Sequence, residues 1–376
     1  MSRTSTRHPR PADPETGPSG LPRGRAPSGT LKLRFKRIED IAHVSDPIWK
    51  DVSSVAVAGR SIFCACDETS SVERVLHAPE KGEAAAHASF PIGAVFDLPD
   101  GPGGEMDIEG LDVSDGWLWV TGSHSLKRKD PKPGKLRRME KTSWDPNRAF
   151  LGRLPLADRG AGVFEPVAQD GARRARMVKL GGSRDSWLRK ALRKDGLLGP
   201  FADLPCKENG LDIEGLAARG RTVLLGLRGP ALRGWALILR LEMKETRDGF
   251  LKPRKLADGR RYAVHAVDLG GHGVRDMCWD GERLLILSGA TTDLTSLQSV
   301  WTLDRFDPGR EVWEAGRVGR ELDLPALRAA DNAEGIALLG DAGEGRRLLV
   351  AHDSPHPDRT PPKTQSLTAD LFDYPG

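Results

Sequence analysis

The chain has 376 residues, with 57 Lys and Arg against 53 Asp and Glu, for a formal net charge of +4. So close a balance gives no support to a basic surface for nucleic acid, and no run approaches the roughly eighteen consecutive apolar residues of a membrane span. The 43 Gly and 27 Pro suit a fold rich in turns, and length alone allows one large all-β domain.

Residues Met1 to about Thr30 are Pro, Gly, Arg and Ser with almost nothing apolar, so this segment is expected to be disordered. It has no apolar h-region, and a cytoplasmic location is the default expectation. Leu31 to Ile41 reads as a strand able to complete the last unit of a ring and remove its exposed edge. The main domain is expected over residues 31–359.

Within it a short phrase returns. It reads Asp107-Ile108-Glu109-Gly110-Leu111, Asp212-Ile213-Glu214-Gly215-Leu216, Val274-Arg275-Asp276-Met277 and Asn332-Ala333-Glu334-Gly335-Ile336. Each is followed by a turn and an apolar-dense run: Trp117 to Gly122, Thr222 to Leu227, Arg283 to Ser288 and Arg347 to Ala351. Asp51 to Asp67 has the same two-strand rhythm without the acidic-Gly pair. Unit starts lie about 55, 105, 63 and 58 residues apart, in the range of four-stranded propeller blades. Runs such as Leu284-Leu285-Ile286-Leu287, bounded by turn residues, read as strand. The expectation is therefore a closed all-β propeller of about five blades, with six as the alternative.

The long second step predicts an enlarged blade with outer strands at Ala149 to Leu156 and Val163 to Val167. A helical insertion follows at about residues 183–196. It runs from Ser183 at the cap to Lys194, with Trp187, Leu188, Ala191 and Leu192 on one face and Gly196 past its end. From about Thr360 to Gly376 a C-terminal tail is expected, with Leu371, Phe372 and Tyr374 docking on the body.

The topology places a site. If each acidic phrase opens the innermost strand of its blade, Glu109, Glu214, Asp276 and Glu334 gather at one channel mouth. The phrases that close the second strands return to the same rim: Cys66-Asp67-Glu68-Thr69, Ser123-His124-Ser125, Arg228-Gly229, Ser288 to Thr292 and His352-Asp353-Ser354. Carboxylates roughly 8 Å apart repel by about 2 kcal/mol per pair at an effective dielectric of 20. A divalent cation with oxygen ligands, Ca²⁺ or Mg²⁺, would relieve that, and so would Arg228 and Arg275. The competing reading is that the acidic residues bond backbone where blades meet. His124, Arg228 and Asp353 are the candidate catalytic residues for a metal-assisted hydrolase of an ester, lactone or phosphoester. A non-catalytic scaffold gripping a small-molecule or protein ligand at the rim, as a monomer, is the alternative.

Other features carry less. Lys127 to Arg138 holds seven basic residues against one acid, and reads as a solvated loop or a docking arm for an anionic partner such as a phosphorylated substrate or another protein, with Trp144 just beyond; no amphipathic helix accompanies the charges to favour a lipid surface. Cys64 and Cys66 share a strand face, and with Cys206 and Cys278 they read as free thiols. His265 and His272 carry no further signal.

The phrases Gly122-Ser123-His124-Ser125, Asn209 to Ala217, Gly226 to Pro230, Asp268 to Asp276 and Asn332 to Ile336 resemble the bacterial family called domain of unknown function 3616, over roughly residues 50–355. The resemblance implies a propeller-type repeat fold and no established activity. A more distant similarity, through the acidic-Glu-Gly phrase, is to the phytase-like esterase and SMP-30/paraoxonase propellers. Those hold a divalent metal in the channel and hydrolyse esters or lactones. This chain departs from them in having Ser53 and Ser54 where its other units offer Asp or Glu.

Overall fold

The computed structural model describes residues 24–374 apart from 42–43, 45–46, 182–185, 293–295, 326–330 and 341–344. Nearly all regular structure is strand, with one α-helix among the described residues. Most of the strands form successive units of four.

The first unit pairs Val52–Ala58, Ser61–Cys66, Ser71–Ala78 and Glu83–Pro91 in that order. The second pairs Ile108–Ser114, Trp117–Gly122, Leu151–Asp158 and Phe164–Pro166. Asp212–Arg219, Thr222–Leu232, Trp235–Glu245 and Ala263–Asp268 make the third; Gly273–Asp280, Arg283–Gly289, Ser299–Leu303 and Gly319–Asp323 make the fourth. Asn332–Leu339, Arg347–Asp353 and Ser366–Asp373 begin the fifth, and Gly29–Arg34 completes it by antiparallel pairing with Ser366–Asp373. The same N-terminal strand pairs in parallel with Glu83–Pro91, joining the first and last units in one eight-stranded sheet.

The first strands of successive units touch in sequence, and that of the fifth touches that of the first. Five apolar clusters sit between the sheets, one at each junction of neighbouring units. This explains the uninterrupted apolar runs. Leu284 and Ile286 pack toward the third unit while Leu285 and Leu287 pack toward the fifth, because successive strand residues point to opposite faces and both faces are covered. The arrangement is all-β and propeller-like.

Three expectations need adjustment. The N-terminal strand is Gly29–Arg34, and residues beyond it form a 3₁₀ turn at Ile38–Asp40 rather than more strand. The segment expected to be disordered, Met1 to Thr30, lies outside the described residues up to position 23, and its last two residues are already in this strand. The expected C-terminal tail instead supplies the strand Ser366–Asp373: Leu367, Ala369 and Leu371 face one cluster and Phe372 the next.

The helix spans Trp187–Leu192, shorter than expected, and its cap is Ser186, whose Oγ accepts from the Arg189 N–H at 3.1 Å. Ser183 lies outside the described residues. The expected apolar face does pack on the body, with Leu188 and Leu192 buried and Trp187 and Ala191 against the same cluster. Cys64 and Cys66 share one cluster as expected, and all four cysteines are free.

Candidate functional site at the channel mouth

Every first strand carries a register shift near its start: Val52/Ser54, Ile108/Gly110, Ile213/Gly215, Val274/Asp276 and Ala333/Gly335. Such a bulge inserts one extra residue and re-aims its side chain. The bulged residues are Ser53, Glu109, Glu214, Arg275 and Glu334. The fourth unit therefore offers an arginine where three others offer glutamate.

The residue after the bulge meets the next unit's first strand. A Cβ on Gly110 would lie 2.8 Å from Leu216, and one on Gly335 would lie 3.0 Å from the Val55 backbone nitrogen, so glycine is required by close approach. Where a side chain stands instead, it bonds across the junction. Ser54 Oγ accepts from the Leu111 N–H at 3.0 Å, and Asp276 Oδ2 accepts from the Ile336 N–H at 2.8 Å. Asp276 Oδ1 also accepts from Met277 N–H at 2.8 Å. Asp276 thus does not join the ring of carboxylates; it occupies the glycine position and staples two units. Asp112 does the same for Ala218 N–H at 2.6 Å.

Glu109, Glu214 and Glu334 do line one cavity, of about 460 Å³, together with Asp67, Asp107, Asp212, Arg228 and Asp353. Its two halves differ. On one side each carboxylate has a guanidinium. Arg148 holds Asp107; Arg228 holds Asp212 at 2.5 Å and Glu214 at 2.7 Å; Arg275 holds Glu214 at 3.1 Å and Glu334 at 2.5 Å. On the other side stand Asp67, Glu109 and Asp353. No ion pair forms to any of these three among the described residues, and Asp67 Oδ1 is buried without a hydrogen-bond partner. Burial, and then neighbouring Asp107, Glu334 and Asp51, push Asp67 up to about 8. Burial with Asp67 and Asp51 pushes Asp353 up to about 7. Glu109 is lifted well above the usual carboxylate range by burial and by Asp107, Glu214 and Glu334.

The candidate catalytic residues separate. Arg228 and Asp353 line the cavity, but His124 does not. Its backbone is left-handed, with φ 55°. Its ring is buried beside the helix, with Nε2 3.2 Å from Phe150 O and Nδ1 3.4 Å from Ser186 Oγ. Burial lowers it to about 3, so it is neutral at ordinary pH. Trp144 is likewise engaged under the helix, with the Arg189 guanidinium 4.8 Å from its ring. His352 is buried toward Asp370 at 3.7 Å and Arg359, away from the mouth.

The expected metal ligands do not fit a metal site as arranged. Asp276 spends both oxygens on backbone, and Glu214 and Glu334 are held by arginine. Among the described residues no three His, Cys, Asp or Glu side chains form a group that could hold a metal ion. Asp67 and Arg275 stand at the mouth, where the repeat places them, whereas nothing in the repeated phrases marks Arg148. Aligning the units on the residue before the glycine, rather than on the acid, places Arg275 in register.

A family model described as "Protein of unknown function (DUF3616)" matches residues 51–370. No curated protein matches the chain. Among solved structures, glutaminyl cyclase from Myxococcus xanthus aligns with 12% identity and TM-score 0.37, covering 92% of this chain and 100% of its own. The PQQ-bound aldose sugar dehydrogenase of Streptomyces coelicolor gives 10% and 0.33, with 92% and 100% covered. A calcium-binding protein, regucalcin, from Agrobacterium tumefaciens gives 11% and 0.33, with 92% and 97% covered.

Proposed function

The chain belongs to the family described as Protein of unknown function (DUF3616), and we propose that it is a ligand-binding propeller of five closed blades whose channel mouth takes a small organic cation. The observation that carries this reading is the unequal neutralisation of the cavity. Arginines pair with Asp107, Asp212, Glu214 and Glu334, whereas no ion pair forms to Asp67, Glu109 or Asp353 among the described residues and arginines act on the last two only at longer range. Buried carboxylates of that kind either bind protons or bind a cation. An ammonium or guanidinium group donates several hydrogen bonds to separated oxygens and does not need them to converge on one point. A cavity of about 460 Å³ also suits a small molecule better than a bare ion.

Binding is favoured over hydrolysis because the proposed catalytic set loses His124, and Arg228 is committed to two carboxylates. The test is a thermal-shift panel of small amines and guanidines set against Ca²⁺ and Mg²⁺. Stabilisation by amines that disappears in Glu109→Gln supports the reading, and stabilisation by the divalent ions alone refutes it.

A further inference from the structure

The basic stretch beside the mouth is a built arm. Lys127 and Arg128 pair with Ser143 and Thr142, and the Lys129 N–H donates to Lys141 O at 3.0 Å. The chain then turns through a 3₁₀ segment, Leu136–Glu140, braced by Arg138 Nε donating to Asp130 O at 3.0 Å. The root of the arm is fixed to the body, where Lys127 pairs with Glu105 and Arg128 with Glu208. Residues 127–141 hold eight Lys or Arg against two Asp or Glu, a surplus larger than the whole chain's net +4. Positive charge is therefore concentrated here.

The tip also carries apolar residues in the open. Leu136 is 71% exposed and Met139 39%. Another exposed apolar residue, Leu204, lies two positions before Cys206, whose N–H donates to Leu126 O at the arm's root.

We propose that this arm docks the protein on an anionic lipid surface, with Leu136 entering the headgroup region and the surrounding Lys and Arg contacting lipid phosphates. The combination selects the partner. A nucleic acid would satisfy the charges but leave Leu136 against water or phosphate. A membrane interface accepts an apolar tip and a basic collar together, and each Lys or Arg near an anionic leaflet strengthens binding roughly fivefold. Asp130, Lys129 and Met139 also line the cavity, so docking would turn the channel mouth toward the lipid. This inference does not depend on which ligand the cavity takes.

The experiment is co-sedimentation of the full chain with vesicles of phosphatidylcholine alone, or with about one-third phosphatidylglycerol. Wild type is expected to bind the anionic vesicles at least tenfold more tightly, and less so as salt rises. Leu136→Asp and the double variant Lys132→Glu/Lys135→Glu are each expected to lower that binding about fivefold or more. Their melting temperatures should match wild type, because these side chains are exposed. Equal binding to both vesicles overturns the proposal. So does anionic-vesicle binding that Leu136→Asp leaves unchanged, which would mark a purely electrostatic surface for an acidic polypeptide or nucleic acid.

Discussion

Arg275 reaches across two unit junctions at once: one Nη lies 3.1 Å from Glu214 of the third unit and 2.5 Å from Glu334 of the fifth. It stands at the bulge position where Glu109, Glu214 and Glu334 stand in their own units. A cation is thus built into the ring among the carboxylates, paired with Glu214 and Glu334.

The two halves should respond oppositely to removal of charge. Glu214→Gln leaves Arg228 and Arg275 buried with one fewer partner, and is expected to destabilise by about 3 kcal/mol. Glu109→Gln removes an unanswered carboxylate and should leave stability unchanged or raise it by about 1 kcal/mol in ligand-free protein. Urea denaturation of the two variants checks both signs.

Asp276 and Ser54 hold equivalent places, each accepting from the next unit's backbone. Asp276→Ala should therefore cost about 2–4 kcal/mol, since it orphans the Ile336 and Met277 N–H groups. Asp276→Ser, which borrows the first unit's own solution, should recover part of that. Equal losses for the two variants would show that the site's volume matters more than its hydrogen bonds.

Stability without ligand should fall as pH rises. Burial above all raises Asp67 to about 8, and Asp353, Asp112, Asp212 and Glu334 to about 7, above their unfolded values. The folded chain then holds more protons than the unfolded one between roughly pH 4 and 8, so their contribution is complete below pH 4 and lost as pH climbs through 7–8. Asp67→Asn should flatten this decline. Melting temperatures across pH 5–9 test it, and a wild-type curve that rises over that window would contradict the assignment.

Much of this was legible in the residues. The repeated phrase marked the first strands, the apolar runs marked the second, and the N-terminal strand was readable as the closing element. The gathering of Glu109, Glu214 and Glu334 also followed from their place in the repeat. The roles of Asp276 and His124 did not. Asp276 looks like its acidic neighbours, but a bulge shifts it by one residue, and a one-residue shift sends a side chain to the other face. His124 follows the same kind of strand end as Arg228. A left-handed backbone and the inserted helix nevertheless turn it inward, and both depend on contacts distant in sequence. The C-terminal strand was hidden by the proline-rich stretch before it.

The most direct test of the channel-mouth account is calorimetric titration of the full chain with putrescine, a small diamine, at pH 6 and pH 8 in two buffers of different ionisation enthalpy. The account predicts binding that is at least tenfold tighter at pH 8 and releases protons at pH 6, where Asp67 and Asp353 must give theirs up. It also predicts that Asp67→Asn/Glu109→Gln abolishes binding. Absence of binding at pH 8, or binding that is indifferent both to pH and to those substitutions, would contradict it.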